Sequence, residues 1–394
     1  MIAFDLSDRA ARRAMAALGG DDDGARERYA TVVWCHLIEP GDSVAGRLVA
    51  ARGAAAALEA VLDGAAPAEV SPRELAEARK RWLPRLSARA IADSLATAAA
   101  RRVALVTRGD AEWPAQLDDL GAHAPLCLWV RGDVAALPRL EASVAIVGAR
   151  AASRYGDHVA TELAAELAGS GIAVISGGAY GIDGAAHRAA LTVGGLTVAL
   201  LAGGADRAYP AGHTRLIDDV ARTGVVVSEV PCGSAPTKWR FLQRNRLIAA
   251  LATVTVVVEA GWRSGSLNTA GHAAALARPL GAVPGPITAA TSAGTHRLIR
   301  EYGAHCITGA DDVRELLGLS TAAGANATTD GFTDDATRVR DALSTRSRRD
   351  VGGIARRAGM SVDAVAAILG LLVLEGAAEC DADGWLLRRP DDRR

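Results

Sequence analysis

The sequence contains few cysteines, and none of them is paired by a recognisable spacing. Its 394 residues include five cysteines that stand far apart along the chain: Cys35, Cys127, Cys232, Cys306 and Cys380. No two are close enough in sequence to suggest metal ligands, and an odd number over this length does not read as a disulfide framework. The sequence therefore predicts no metal site and a reducing compartment, the cytoplasm.

Long hydrophobic runs are also absent. Charged residues interrupt every apolar stretch before it reaches the roughly 18–20 residues that span a bilayer. Residues 1–15 carry Asp5 and Asp8 and have no continuous apolar segment, so no secretory signal is predicted. Neither a membrane-spanning segment nor a membrane partner is expected.

Lysine is scarce among the basic residues. Lysine and arginine together number 44, but only Lys80 and Lys238 are lysine. Arginine grips phosphate in a fork and stacks on bases, although a GC-rich coding sequence produces the same bias. The net charge of −1 gives no global electrostatic argument for nucleic acid. The charge is uneven, however, since residues 144–310 carry +4 and the rest of the chain −5.

The first part of the chain is predicted to be helical. Residues 1–100 are rich in Ala and Leu, and helices are expected within 44–62 and 72–100. Nothing in this small helical domain carries chemistry. A lead-in segment, 101–143, follows and contains two short apolar runs, 103–106 and 126–130.

From residue 144 onward, short apolar runs alternate with amphipathic segments. Seven strands are predicted, at 144–147, 172–175, 197–201, 225–228, 254–258, 281–283 and 305–307. The helices predicted between them cover 157–167, 185–192, 213–221, 246–251, 267–277 and 296–302. Continuous apolar runs indicate strands buried on both faces. Residues 101–318 are therefore predicted to form an α/β domain with a doubly wound parallel sheet.

The end of the chain has a different pattern. Residues 319–335 are rich in Thr, Ala, Gly, Asn and Asp and are predicted to be a linker. Within 336–394, three helices and a hairpin are expected, at 337–343, 351–358, 362–374, 377–380 and 384–387. This order is typical of a winged helix. Because helix 362–374 contains Asp363 and no cation, contact with a protein is favoured over contact with DNA.

Ligands of open parallel sheets bind at the carboxyl ends of strands, where loops and helix N-termini present free N–H groups. The loop after the first strand of the domain offers Gly148, Arg150 and Ser153. It lacks the spacing of a dinucleotide fingerprint or a P-loop, and a tight turn with a solvated arginine is the alternative. The next loop contains Ser176, Gly177 and Gly178, whose small size allows a ligand close to the backbone.

Two titratable residues follow that glycine loop. Asp183 is expected to cap the following helix. His187 has no Ser or Asp partner at motif spacing, so it is given no acid–base role.

Residues 238–246 combine cations and aromatic rings without any acid. The cations are Lys238, Arg240, Arg244 and Arg246, beside Trp239, Phe241 and Asn245. Cations neutralise phosphates, and aromatic faces stack on unpaired bases, so the combination favours a single strand over a duplex. The alternative is a charged turn whose two rings are buried. A further loop adds polar groups at the same rim: Arg263, Ser264, Gly265 and Ser266. We expect Arg150, Lys238, Arg244 and Arg246 to converge at one edge of the sheet.

These blocks, taken in order, resemble one family, the DNA-processing proteins called DprA or Smf. The resemblance rests on 147–150 with Ser153 and 155–156, 176–184 with His187, Asp206 with 209–210, 228–231, Phe241 with 244–249, 259–260 with 264–267, and 283–285. It is strong over about 113–313 and weaker in the flanking parts. It implies an extended Rossmann-like domain between a sterile-alpha-motif-like domain and a winged helix.

The resemblance also implies a function. Members of the family bind single-stranded DNA, protect incoming strands and help load the RecA recombinase during natural transformation, and they dimerise through the Rossmann-like domain. DNA contacts would fall here on Arg150, the 176–178 loop, Lys238, Phe241, Arg244 and Arg246. The chain departs from the family pattern at five positions: Gly178, His213, Leu242, Asn268 and His296.

A second function of a different class is a nucleotide-handling enzyme of the lysine-decarboxylase-like group, which hydrolyses nucleoside monophosphates. Those enzymes use a Pro-Gly-Gly-x-Gly-Thr loop, whereas this chain has Ser264-Gly265-Ser266-Leu267. The sequence therefore favours a binding protein without enzymatic activity or cofactor.

Overall fold

The structure is a computed structural model that describes residues 4–18, 24–64, 67–319, 335–374 and 376–388. The chain folds into two compact units, Met1–Thr321 and Ala322–Arg394. Among the described residues, no single helix has the length and apolar character to cross a membrane. One pair of helices, Val351–Ala358 and Val362–Leu374, meets those criteria only when joined across a bend of 105°.

The first unit begins with six helices. They are α1 (Asp8–Met15), α2 (Ala25–Leu37), α3 (Ser43–Arg52), α4 (Ala54–Asp63), α5 (Pro72–Trp82) and α6 (Ala88–Ala100). The helix predicted within 44–62 is divided into α3 and α4 at Gly53, whose φ of +79° is left-handed. Glu27 accepts a hydrogen bond from the N–H of Ala54 at 2.7 Å and so caps α4. These helices bury Trp34 against Trp82, with ring centroids 5.2 Å apart.

A nine-stranded sheet follows the helices. Its strands are β1 (Val103–Thr107), β2 (Cys127–Gly132), β3 (Ser143–Val147), β4 (Ala173–Ser176), β5 (Thr197–Leu201), β6 (Val225–Ser228), β7 (Val254–Val257), β8 (Leu280–Ala282) and β9 (His305–Cys306). Their spatial order is β1-β2-β6-β5-β4-β3-β7-β8-β9. All seven predicted strands are present and pair parallel with one another.

The sheet is mostly parallel rather than wholly parallel. The two apolar runs of the lead-in segment form β1 and β2, and β2 pairs antiparallel with both β1 and β6. The register places Trp129 opposite Ser228, so the lead-in segment extends the sheet at one edge. Sequence periodicity identified these strands but carried no information about their direction.

Helices cover both faces of the sheet. They are α7 (Arg154–Gly169), α8 (Ile182–Thr192), α9 (Thr214–Thr223), α10 (Lys238–Leu251), α11 (Ser266–Ala275), α12 (Ala293–Glu301) and α13 (Ala310–Leu316). Strands β3 to β7 are buried along their whole length, as continuous apolar runs require. One apolar core joins the N-terminal helices to Leu105, Trp129 and Leu201 of the sheet.

The second unit contains α14 (Asp335–Ala342), α15 (Val351–Ala358), α16 (Val362–Leu374), β10 (Ala378–Asp381) and β11 (Gly384–Leu387). The two strands form the predicted antiparallel hairpin, with Ala378 opposite Leu387. Ser361 accepts a hydrogen bond from the N–H of Ala364 at 3.3 Å, as expected for an N-cap. The elements have the expected order; the winged-helix assignment and the domain boundaries at 100, 318 and 335 stay predictions.

Candidate nucleic-acid interface

A cavity of about 440 Å³ opens at the carboxyl edge of the sheet. Five consecutive strand–helix connections contribute to it, those that follow β3, β4, β5, β6 and β7. Its lining consists of Val147, Gly148, Arg150, Ala179, Asp183, Tyr209, Pro236, Thr237, Lys238, Phe241, Leu242, Arg244, Asn245, Ile248, Ser264, Gly265, Ser266 and Thr269. The cavity therefore occupies the position that the topology of a parallel sheet assigns to a ligand.

Helix α10 supplies the largest share of this lining. It begins directly after Thr237, whose hydroxyl accepts a hydrogen bond from the N–H of Arg240 at 3.2 Å. Residues three and four apart share one helix face, which brings Lys238, Phe241, Asn245 and Ile248 onto the cavity. The sequence interpretation treated 238–246 as a single cluster of charges and rings; the helix divides that cluster between two faces.

Arg244 is buried at the base of the cavity. Its Nη1 donates to the carbonyl oxygen of Gly177 at 2.7 Å and also to that of Leu200. A Cβ on Gly177 would lie only 2.4 Å from the same Nη1, so the glycine makes room for the guanidinium. Burial lowers the pKa of Arg244 to about 10, and the side chain is still charged at neutral pH.

Asp183 lines the same cavity as Arg244 and interacts with it electrostatically. Burial raises the pKa of Asp183, while the nearby positive charge of Arg244 opposes that rise. Its carboxylate accepts a hydrogen bond from the N–H of Ala179 at 3.3 Å. The expectation that Asp183 caps α8 is wrong, because Gly181 occupies the N-cap position and Asp183 lies inside the first turn.

Phe241 stands at the centre of the cavity's charged groups. The Cζ atom of Arg150 lies 4.7 Å from the ring centroid, and that of Arg244 lies 5.8 Å from it. Tyr209 packs against the same ring at 5.5 Å between centroids. Within the described part of the chain, neither Arg150 nor Lys238 has an ion-pair partner. Both cations are exposed and available to an anionic ligand.

The start of α11 completes the wall. Ser264 and Ser266 place their hydroxyl oxygens 2.7 Å apart. The Asn245 amide donates to the carbonyl oxygen of Gly265 at 3.3 Å and so ties α10 to this loop. The N-termini of α10 and α11 both reach the cavity, and their partial positive charges favour an anion there. Arg263 is exposed beside this loop but is not part of the lining.

Three of the predicted site residues support the cavity from behind. Ser153 caps α7, and its hydroxyl donates to the buried carboxylate of Glu259 at 2.6 Å. Ser176 is fully buried and donates to the carbonyl oxygen of Ile146 at 2.6 Å. Gly178 accepts a hydrogen bond from Nδ1 of His213 at 3.0 Å. These residues hold the loops in place and do not line the cavity.

Two of the predicted cations, Arg240 and Arg246, do not line the cavity. Of the four cations expected to converge at one sheet edge, Arg150, Lys238 and Arg244 meet at the cavity, whereas Arg246 pairs with Glu229 directly after β6. Arg246 is only 3% exposed and pairs with Glu229, its Nη1 donating to Oε2 at 2.7 Å. Arg240 makes two hydrogen bonds of 2.9 Å to Glu39 at the end of α2. Sequence reasoning missed both carboxylates because neither lies within the stretch itself.

The departures from the family pattern have local roles. His296 shares a hydrogen bond of 2.9 Å with the carbonyl oxygen of Gly285, and Asn268 accepts one of 3.2 Å from Asn245. Leu242 contributes to the cavity lining.

His187 is buried beside Thr197, and burial lowers its pKa to about 3. Across the described ranges, no three His, Cys, Asp or Glu side chains form a group able to hold a metal ion.

Tyr209 is the aromatic residue of the cavity that charge patterning did not select. Its signal in the sequence was its place after β5, at the same sheet edge as the other loops.

Comparisons with known proteins agree with this architecture. The sequence model of the family described as DNA recombination-mediator protein A matches residues 104–318. A putative DNA processing protein DprA of Mycobacterium tuberculosis is 45% identical over 313 residues, covering 76% of this chain and 80% of that protein.

Two solved structures are also similar. DNA processing protein A from Streptococcus pneumoniae shares 33% identity, with a TM-score of 0.54 over 62% of this chain and 82% of that one. A structure concerned with single-stranded DNA binding by DNA processing protein A from Helicobacter pylori shares 31% identity. It gives a TM-score of 0.49 over 54% of this chain and 95% of that one.

Proposed function

The chain belongs to the DNA recombination-mediator protein A family, also called DprA or Smf, and we propose that it binds single-stranded DNA in the cavity at the carboxyl edge of its sheet. The observation that carries the proposal is one cavity lined by Arg150, Lys238 and Arg244, with the two arginines close to the ring of Phe241. Cations of this kind neutralise phosphates, and the ring stacks on an unpaired base.

The roles of the three cations differ. Arg150 and Lys238 are exposed and have no carboxylate partner among the described residues, so they contact phosphates. Arg244 is buried and anchored to the backbone, so it gives the base of the cavity a fixed positive charge. Each exposed cation that meets a phosphate displaces condensed counterions, which makes the affinity depend on salt concentration.

The ring of Phe241 favours a single strand over a duplex. Base faces in a duplex are stacked on each other and cannot reach a ring inside a cavity, whereas unpaired bases can. Phe241 is half-buried between Arg150 and Tyr209, which holds the ring in a defined orientation before DNA arrives. The fixed ring lowers the entropic cost of binding.

We further propose that the protein protects single strands and helps to load the RecA recombinase during natural transformation, in the cytoplasm. A homodimer formed through the α/β domain would place two cavities on one strand. That arrangement raises the effective local concentration and hence the avidity, by up to roughly 10²–10⁴. The second unit would remain available for contact with a protein.

Direct binding measurements test the central proposal. Fluorescence anisotropy with labelled oligothymidylate should show saturable binding, and the same sequence as a duplex should bind at least about tenfold more weakly. The double variant Arg150→Ala/Lys238→Ala should lose most of the affinity while keeping its circular dichroism spectrum. Equal affinity for duplex and single strand would contradict the proposal. Turnover of nucleoside monophosphates by the same preparation would favour the enzymatic alternative.

A further inference from the structure

Exposed aromatic rings are concentrated at one edge of the sheet. The chain has few aromatic residues, 4% of its composition, and most of the described ones are buried or half-buried. The exposed ones, between 42% and 56% accessible, are Tyr155, Tyr180, Tyr209, Trp239, Trp262 and Tyr302. All except Tyr302 lie in the connections that follow β3, β4, β5, β6 and β7, one ring in each. Five exposed rings at the edge that carries the cavity provide stacking surfaces beside it.

The topology arranges these five rings along the edge. The rings Trp239, Tyr209, Tyr180, Tyr155 and Trp262 follow strands β6, β5, β4, β3 and β7, which are adjacent in that order, and the Tyr155 hydroxyl reaches Pro284, after β8. Neighbouring strands are about 4.8 Å apart, so the five strands that carry the rings span about 19 Å. Tyr209 belongs to the cavity lining, whereas the other four rings lie outside it. We call those four the outer aromatic row: Tyr155, Tyr180, Trp239 and Trp262.

Three rings of the outer aromatic row are held in place from one side. The Tyr155 hydroxyl donates to the carbonyl oxygen of Pro284 at 2.6 Å. Tyr180 packs edge-on against the ring of His213, with centroids 4.7 Å apart. Trp262 lies 5.2 Å from the guanidinium of Arg297. Each ring is therefore oriented by the protein and still presents surface to solvent.

A cation adjoins most of these rings in the sequence. Arg154 precedes Tyr155, Lys238 precedes Trp239, and Arg263 follows Trp262. Arg154, Lys238 and Arg263 are exposed and have no ion-pair partner within the described part of the chain. A ring beside an unpaired cation matches a nucleotide, because the base can stack while the phosphate meets the charge.

We propose that the outer aromatic row binds the unpaired bases of single-stranded DNA on either side of the cavity, so that the binding site is longer than the cavity itself. This inference rests on the proposed function and extends it from one stacked base to several. A protein partner is the other occupant that exposed rings could serve. The exposed cations adjacent in sequence to three of the rings, which have no ion-pair partner among the described residues, favour a polyanion.

Affinities for oligonucleotides of different length distinguish binding in the cavity from binding along the outer aromatic row. Affinities for a thymidylate tetramer and dodecamer are measured by anisotropy for wild type, Trp262→Leu, Tyr180→Leu and their double variant. The control is Tyr302→Leu, a similarly exposed ring outside the row that contacts Arg297 as Trp262 does, so it also reports the effect of losing a contact to Arg297. Trp262→Phe and Tyr180→Phe keep a ring and should restore binding. A dodecamer that lacks one base at either side of its centre repeats the measurement from the DNA side.

We expect each leucine variant to lose about fivefold or more in affinity for the dodecamer, with the tetramer and the salt dependence unchanged. Dodecamer affinities within twofold of wild type would overturn the inference while leaving the proposed function intact. If wild type binds neither oligonucleotide, the proposed function fails as well. Loss of self-association in light scattering, with DNA binding unchanged, would assign the row to a protein contact and overturn the inference.

Discussion

The two faces of helix α10 have similar charges and opposite surroundings. One face carries Lys238, Phe241 and Arg244 and lies against the open cavity. The other carries Arg240 and Arg246, which are paired with Glu39 and Glu229. Both sets come from the same nine residues, a stretch without any acid. We call them the cavity face and the paired face.

The difference shows that positive charge in a sequence does not by itself mark a nucleic-acid contact. On the paired face, carboxylates from distant parts of the chain neutralise the arginines, and Arg246 is also buried, whereas Arg240 is partly exposed. On the cavity face, Lys238 and the neighbouring Arg150 have no partner among the described residues. We therefore expect changes on the paired face to affect folding and changes on the cavity face to affect binding.

The largest effect is expected at Arg246. Arg246→Met leaves Glu229 buried without its partner, which should lower the free energy of unfolding by about 3–5 kcal/mol. Urea denaturation measures that loss. The double variant Arg246→Met/Glu229→Gln removes both charges and should recover much of it. The comparison fails if Arg246→Met keeps wild-type stability and instead loses DNA affinity.

The next largest effect is expected at Phe241. Phe241→Leu keeps an apolar side chain but removes the stacking surface, so affinity for oligothymidylate should fall by about 1–3 kcal/mol. The slope of log affinity against log salt should stay the same, because no phosphate contact is lost. Phe241→Tyr is the matched control and should bind like wild type. A changed salt slope in Phe241→Leu would contradict this assignment.

Arg150 should behave in the complementary way. It is exposed and unpaired in the described part of the chain, so Arg150→Ala should alter stability by less than about 0.5 kcal/mol. The salt slope for single-stranded DNA should fall by about 0.7, the value for one phosphate contact. Titrations over a range of potassium chloride concentrations measure the slope, and an unchanged slope would exclude the contact.

The smallest expected effect is the contribution of the Glu39–Arg240 pair to the pH dependence of stability. Burial acts to raise the pKa of Glu39, but the hydrogen bond and charge of Arg240, with a contribution from Arg85, hold it below its ordinary value. A lowered carboxylate pKa adds stability above the ordinary value of 4.5, and that stability is lost as the pH falls through the lowered pKa.

Because the pair is partly exposed, its contribution should stay below about 1 kcal/mol. Arg240→Ala should therefore be slightly less stable than wild type at neutral pH, and the two should converge in acid. Urea denaturation at a series of pH values tests this. If the free energies of unfolding of wild type and Arg240→Ala moved further apart as the pH fell, this prediction would be contradicted.

Much of the fold followed from the sequence because the strands are continuous apolar runs. The predicted strands 197–201 and 225–228 coincide with β5 and β6, since burial on both faces leaves no charged residue inside them. The direction of β2 could not be predicted from the sequence. A strand of the same composition can pair either way, and the antiparallel pairing with β6 depends on how the lead-in segment crosses the sheet edge.

The site could be predicted from the sequence only in part. The positions of these residues around helix α10 explain some of the difference. Lys238, Phe241 and Arg244 were selected by chemistry and do meet at the cavity with Arg150. Arg246 was selected by the same chemistry but faces Glu229. The 3.6-residue period places Arg246 away from Phe241 and Arg244. It places Arg240 on the same side as Arg244, four residues on, so Arg240 is distinguished only by its partner Glu39. The partners Glu39 and Glu229 come from elsewhere in the chain, so no local pattern in that stretch could identify them.

Lys238 and Arg240 provide the most direct test of the account, since they are cations two residues apart on opposite faces of one helix. The measurement is the salt dependence of oligothymidylate affinity for wild type, Lys238→Ala and Arg240→Ala, by anisotropy. The account predicts that Lys238→Ala lowers the affinity and reduces the slope by about 0.7, while Arg240→Ala leaves both unchanged. Equal effects of the two substitutions, or a reduced slope in Arg240→Ala alone, would contradict it.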